Sequence, residues 1–217
     1  MGRKNSETQL LQNYAVLFTN VKKDTVLAAE LATYGYDEAV ITQGETLFNT
    51  LKEKYTTNKT ETADQTTAYA VFSQHLDNLV TLYTTDRKKA KIVFKNQPDV
   101  LKNLQLNGLV PVRNAARIDT IRHFYETLNN NTELTTALNR LKIDQPHITQ
   151  ALTQVTATQD AYASYVQEKG ESQQATKDKN KAFDDVAKWV NEFYAVAKIA
   201  LEDQPQLLET VAKLVRS

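Results

Sequence analysis

This chain of 217 residues resembles itself, and that self-similarity limits its folds more than any other feature. A gapless shift of 107 positions pairs Ile41-Thr42-Gln43 with Ile148-Thr149-Gln150 and Ala90-Lys91-Ile92 with Ala197-Lys198-Ile199. It also pairs Gln97-Pro98 with Gln204-Pro205, Leu27 with Leu134, Leu31 with Leu138, Asp37 with Asp144, Tyr55 with Tyr162 and Leu101 with Leu208. The shift yields 18 identities over residues 10–106, where unrelated chains of ordinary composition give roughly a third as many. A period this long exceeds the ~20–50 residues of a solenoid unit, so each copy is a small assembly rather than one stacking element. The spacing predicts two tandem, pseudo-equivalent halves, 1–108 and 109–217, packed as one unit. Asn107-Gly108-Leu109-Val110-Pro111 is the expected join, because Gly favours a helix stop and Pro restricts the residue before it.

Inside each half the apolar period is helical. Leu10, Leu11, Tyr14, Leu17, Phe18 and Val21 form one stripe, repeated by Ile118, Ile121, Phe124, Tyr125 and Leu128. A short second helix over about Thr25 to Tyr34 buries Leu27 and Leu31, with Gly35 as its stop. The third stripe runs through Val40, Ile41, Gly44, Leu47, Phe48, Leu51 and Tyr55, and its twin uses Ile148, Ala151, Leu152, Val155 and Tyr162. A fourth, longest helix carries Phe72, Leu76, Leu79, Leu82, Tyr83 and Val93, matched by Phe183, Val186, Trp189, Val190, Phe193 and Leu201. Short terminal helices contribute Leu101 and Leu104, or Leu208 and Val211. Five Gly and four Pro in the whole chain are too few for the turns of all-β or doubly wound folds, which leaves an all-α helical bundle of four to five helices per half.

Asn96-Gln97-Pro98, Asp144-Gln145-Pro146 and Asp203-Gln204-Pro205 read as helix starts, each a capping Asn or Asp ahead of a Pro, and Asp37 reads as a cap without the ring. The polar stretches 56–67 (TTNKTETADQTT) and 163–174 (ASYVQEKGESQQ) are expected to be hairpin tips. The other reading is an unbroken helix of about 60 residues, roughly 90 Å long, which ordinary helix lengths oppose.

The residues offer little chemistry. Lys+Arg and Asp+Glu are both 26, so the basic surplus of a nucleic-acid binder is missing. The absence of Cys excludes disulfides, thiolate metal sites and Cys nucleophiles. Gly-rich phosphate loops, Gly-x-Ser-x-Gly elbows and His-Glu-x-x-His motifs are absent as well. His75, His123 and His147 pair with Ala182, Val16 and Val40, so no histidine site is duplicated. His123-x-x-Glu126 and Asp144-x-x-His147 have ligand-compatible spacing but no supporting ligands, and a cap Asp beside a partly exposed His accounts for the second. Asp77, Asp184 and Asp185 read as solvated surface. The basic run Arg87, Lys88, Lys89, Lys91, Lys95 complements a helix C-terminus and keeps a face soluble. In the second half only Lys198 survives from it, so Trp189 to Leu201 is expected to be buried on several sides or to cover a partner. Tyr14, Tyr34, Tyr55, Tyr83, Tyr125 and Tyr194 read as core rings. No run approaches the ~20 apolar residues of a membrane span, no signal peptide is visible, and Met1-Gly2-Arg3-Lys4-Asn5-Ser6 is a chance match to a myristoylation pattern. A cytoplasmic location is expected.

Leu31-x-x-Tyr34-Gly35-Tyr36-Asp37, Ala90-Lys91-Ile92, Gln97-Pro98-x-x-Leu101-x-x-Leu104-x-Leu106-x-Gly108 and Phe124-Tyr125 together resemble an uncharacterised bacterial family of internally duplicated, all-helical proteins. The resemblance spans nearly the whole chain. It implies a bacterial helical protein and carries over no activity, ligand or site residue. At Leu141-Lys142-Ile143 the second half departs from Tyr34-Gly35-Tyr36.

The expected function is non-catalytic: a helical scaffold or protein-interaction module that binds another protein or itself, with no cofactor, no metal and no catalytic residue. The alternative is a small-molecule or lipid-binding bundle, with an aromatic-lined cleft between the halves gated by Gln43 and Gln150.

Overall fold

Helices begin in this chain where a side chain can take up a free backbone N–H. In the computed structural model, which describes residues 5–211, Ser6 accepts the Gln9 N–H and opens α1 (Glu7–Lys23). Asp24 caps α2 (Thr25–Thr33) through the Val26 and Leu27 N–H groups. Gly35, at φ +86°, ends α2 in a left-handed turn, where a side chain would be strained. The Asp37 carboxylate accepts the Val40 N–H at the start of α3 (Glu38–Val93). After α4 (Pro98–Asn103), the connector through Gly108 leads to α5 (Asn114–Asn129), α6 (Thr132–Leu138) with a 3-10 turn at Asn139–Leu141, α7 (Gln145–Ala200) and α8 (Gln206–Thr210). The described residues form helices and connections only.

Two expected caps are not made. α4 starts at Pro98 with Gln97 at its N-cap, and α8 has Pro205 at its N-cap; neither carries a side-chain cap bond. Asn96 stands one position and Asp203 two positions before the N-cap, too early to reach the free N–H groups. At α7 the expectation holds, with Asp144 Oδ1 accepting the His147 N–H at 3.0 Å.

The expected hairpin tips at 56–67 and 163–174 are corrected: both stretches are helical, and α3 and α7 are unbroken helices of 56 residues each. Neither stretch contains Pro. The threonines bond back to the carbonyl four residues earlier instead of opening a turn, with Thr56 on Lys52 at 3.0 Å, Thr66 on Thr62 at 2.8 Å and Thr67 on Ala63 at 3.0 Å. Gly170 faces open space within α7, at a cost of about 1 kcal/mol relative to Ala. Ring contacts on either side hold the helices to their course: Tyr55 with Phe183 at 6.3 Å, Tyr69 with Tyr165 at 5.2 Å and Phe72 with Tyr162 at 5.0 Å.

The chain divides into two compact units that do not follow the sequence halves. The first is Met1–Glu61 with Ser172–Ser217; the second is Thr62–Glu171. Each has its own core. In the first, Tyr14, Leu17, Phe18 and Val21 of α1 and Leu27 and Leu31 of α2 pack with Ile41, Phe48 and Leu51 of α3 and with Val186, Val190, Phe193 and Ala197 of α7. In the second, Ile118, Ile121, Phe124, Tyr125 and Leu128 of α5 and Leu134 and Leu138 of α6 pack with Phe72, Leu76, Leu79 and Tyr83 of α3 and with Ile148, Ala151 and Val155 of α7. Helix α7 starts and ends 107 positions after α3, and α5 starts 107 positions after α1.

Of the tyrosines assigned to the core, Tyr14, Tyr83 and Tyr125 are buried and Tyr55 and Tyr194 half-buried, whereas Tyr34 is exposed because it follows the last turn of α2. The stretch 189–201 is buried at Val190, Phe193, Ala197 and Leu201 but leaves Ile199 in solvent. The first residues of the myristoylation-like match lie outside the described residues.

Candidate functional site

A charged residue sits where the pattern calls for an apolar one. Leu79, Tyr83 and Ala90 mark the inward stripe of α3 in the second unit, continued by Phe94 just past its end, and Asp86 lies on that stripe, fully buried. A buried carboxylate is costly unless donors surround it. Three do here. The Tyr125 hydroxyl donates to Asp86 Oδ2 at 2.9 Å, His147 Nε2 meets the same oxygen at 2.5 Å, and Lys89 Nζ reaches Oδ1 at 3.3 Å. A carboxylate has no proton to give, so Nε2 is the donating nitrogen of His147. Burial, the Asp86 charge and the bond to it together raise the Tyr125 hydroxyl far above the ordinary tyrosine range.

Three elements place these groups. α3 carries Asp86 and Lys89 one turn apart, α5 supplies Tyr125, and the Asp144 cap sets the first turn of α7 so that His147 faces Asp86. The spacing Asp144-x-x-His147, read as a ligand pair, is thus a backbone cap, and the imidazole turns to a carboxylate 61 residues away. Neither does His123-x-x-Glu126 converge: His123 Nε2 meets the Asn103 carbonyl at 2.8 Å, while Glu126 pairs with Arg122.

Above Asp86 opens a cleft of about 640 Å³ between α3 and the first turns of α7. His75, Asn78, Thr81 and Thr85 line it from α3, and Gln154 lines it beside His147 from α7. Leu82 is its one apolar lining residue. The expected aromatic lining is absent from this cleft, and Gln43 and Gln150 are exposed residues outside it. Of the basic run, Lys89 joins the cluster. Arg87 donates through Nη2 to the carbonyls of Leu106 and Gly108, pinning the connector after α4, and Lys88, Lys91 and Lys95 are exposed. The Tyr83 hydroxyl and Arg87 Nε are both buried and make no well-formed hydrogen bond, though the guanidinium lies near enough for its charge to act on the hydroxyl.

The first unit handles the matching positions differently. Asp86, Tyr125, His147 and Lys89 correspond, 107 positions away, to Phe193, Phe18, Val40 and Val196. Phe193 is as fully buried as Asp86, and it stacks on Trp189 at 5.5 Å, with Phe18 against the same indole at 5.3 Å. One unit closes this region with rings, the other with a hydrogen-bonded charge cluster. Asp77, Asp184 and Asp185 are exposed or half-exposed, and Asp185 pairs with Lys181.

The signal for Asp86 was present in the sequence: an acidic residue on a buried stripe whose counterpart is Phe. No helix among the described residues is long and apolar enough to cross a membrane. Compared with protein-family models, curated proteins and solved structures, the chain matches none.

Proposed function

We propose that this chain is a non-catalytic helical binding module whose cleft above Asp86 holds a small polar molecule. The observation that carries the reading is the buried Asp86–His147–Tyr125–Lys89 cluster, set in the floor and wall of a cleft and absent from the matching region of the first unit. Replacing a buried ionic cluster by apolar side chains is often neutral or stabilising, so packing alone gives no reason to keep one where Phe193 serves equally well. The volume suits a small ligand, and the polar lining disfavours a lipid chain. Native mass spectrometry of the chain purified from its host tests this directly. A mass excess lost on denaturation is expected; a bare chain that also gains no thermal stability from a panel of small polar molecules refutes it.

The scaffold reading is favoured by a different observation. Leu109 is 99% exposed and Val112 81% exposed, both in the connector before α5. On this reading the connector docks another protein or a second copy. Light scattering decides for self-association: an oligomer dissolved by Leu109→Ser with Val112→Ser supports it, and a monomer counts against it.

We further propose that the chain arose by tandem duplication, is bacterial and works in the cytoplasm. The coincidence of helix bounds at one offset and the shared inward positions of α1 and α5 support the duplication.

A further inference from the structure

We infer that the occupant of the cleft above Asp86 is a small molecule bearing an anionic group, a carboxylate or a phosphate, held by Lys89 and the polar donors around it. This rests on the reading of that cleft as a binding site.

Asp86 is the one acidic residue lining the cleft, and its carboxylate is already used, by Tyr125 and His147 on one oxygen and by Lys89 on the other. Its side chain is 1% exposed, whereas those of Lys89 and His147 are 30% and 23% exposed. The negative charge is therefore enclosed and the donors face the opening. An ammonium has three protons, and Asp86 takes one from Lys89. Asn78 and Gln154 add amide donors from the two helices and Thr81 adds a hydroxyl, while the Thr85 hydroxyl donates back to the Thr81 carbonyl. A cationic guest meets Lys89 and finds no free carboxylate. An apolar guest finds Leu82 alone. A neutral polyol satisfies the amides but gives the ammonium protons that do not reach Asp86 only uncharged acceptors once water is displaced. An oxyanion takes up the remaining ammonium protons in charge-assisted bonds, the strongest the lining can form.

The first unit supplies an internal comparison, since Val40, Ala182, Phe193 and Val196 stand where His147, His75, Asp86 and Lys89 do, so the charge cluster itself has no counterpart there, although Lys188 matches Thr81. The test is an amide-resolved NMR titration of the full chain with inorganic phosphate, with acetate and with glycerol, at constant ionic strength. Saturable shifts at Asn78, Lys89 and His147 with an anion, and none at Val40 or Phe193, are expected. Whichever of phosphate and acetate saturates at lower concentration identifies the group. Lys89→Met should weaken that response roughly tenfold or more, with Lys89→Arg restoring most of it, because a charge-assisted hydrogen bond is lost and then replaced. An anion response that survives Lys89→Met unchanged overturns the assignment, as does one equal in both units. Saturation by glycerol without an anion response overturns the anionic class while leaving the cleft a binding site. Silence with all three probes removes the anion inference, and the mass-spectrometric test then decides the broader reading separately.

Discussion

Two tyrosines one helix apart show how burial alone says little about what a hydroxyl contributes. Tyr125 and Tyr83 are both almost fully buried, but Tyr125 gives its proton to Asp86 and Tyr83 to nothing. Tyr125→Phe deprives a buried carboxylate of a donor and should cost about 1.5–3 kcal/mol, whereas Tyr83→Phe removes a hydroxyl that donates to no acceptor and has only the Arg87 guanidinium beside it, and should cost less. Urea unfolding of both variants measures the contrast; equal losses would show that the Asp86 bond carries no special weight. The same residues set an alkaline limit. Burial pushes Tyr194 up to about 12 and raises Tyr125 and Tyr83 above the ordinary value near 10. Above pH 10 the folded chain therefore keeps protons that the unfolded chain has lost. The associated stability is complete below that pH and declines as the pH climbs towards 12. The melting temperature should fall over this interval, and the share of tyrosinate absorbance owed to the buried tyrosines should rise late, together with unfolding. At this scale the sequence was half readable. Apolar stripes placed Leu17, Leu27, Phe124 and Leu138 in cores, because hydrophobic burial has a period. Asp86 shows in the sequence only as an acidic residue on an apolar stripe; its partners, Tyr125 and His147, come from 39 and 61 residues away, and no local pattern announces a contact of that range.

Helices α3 and α7 are where local propensity was outvoted. The Thr-rich and Gly-containing middles read as tips, yet threonine hydroxyls that bond back along the helix, together with ring contacts on both sides, keep the axis unbroken. Helix starts were legible where an Asp could reach an N–H, at Asp37 and Asp144, and misread at α4 and α8, where the helix begins at or after the Pro instead of at the Gln before it. Gly44 bears on how α3 meets α7 in the first unit. A Cβ there would lie 2.5 Å from the indole of Trp189, so the glycine is what lets the ring seat. Gly44→Ala gains helix propensity of about 1 kcal/mol, but the clash should outweigh it and leave the variant about 1–3 kcal/mol less stable. Calorimetry checks the sign. A stabilised variant would mean that Trp189 shifts aside freely, and its fluorescence maximum would then move as well.

At the scale of the whole molecule, the sequence repeat and the compact unit divide the chain differently. The second unit is the continuous segment 62–171, with a core drawn entirely from its own residues. It should fold when expressed alone, giving helical circular dichroism and a cooperative melt, with the Asp86–His147 pair intact in its imidazole NMR signals. A fragment that stays unfolded would show that the self-contained core is insufficient. The first unit has no such independence, because Phe18 and Leu31 wait for Val186, Val190 and Phe193. On the ribosome, at roughly 5–20 residues per second, the leading segment emerges and remains uncovered for many seconds while the other body is completed. During that interval its greasy face is open to chaperones, or to the trailing segment of a neighbouring nascent chain on the same message. Crowded translation thus carries a built-in hazard of exchanged ends, and slow synthesis at the centre of the gene would prolong it.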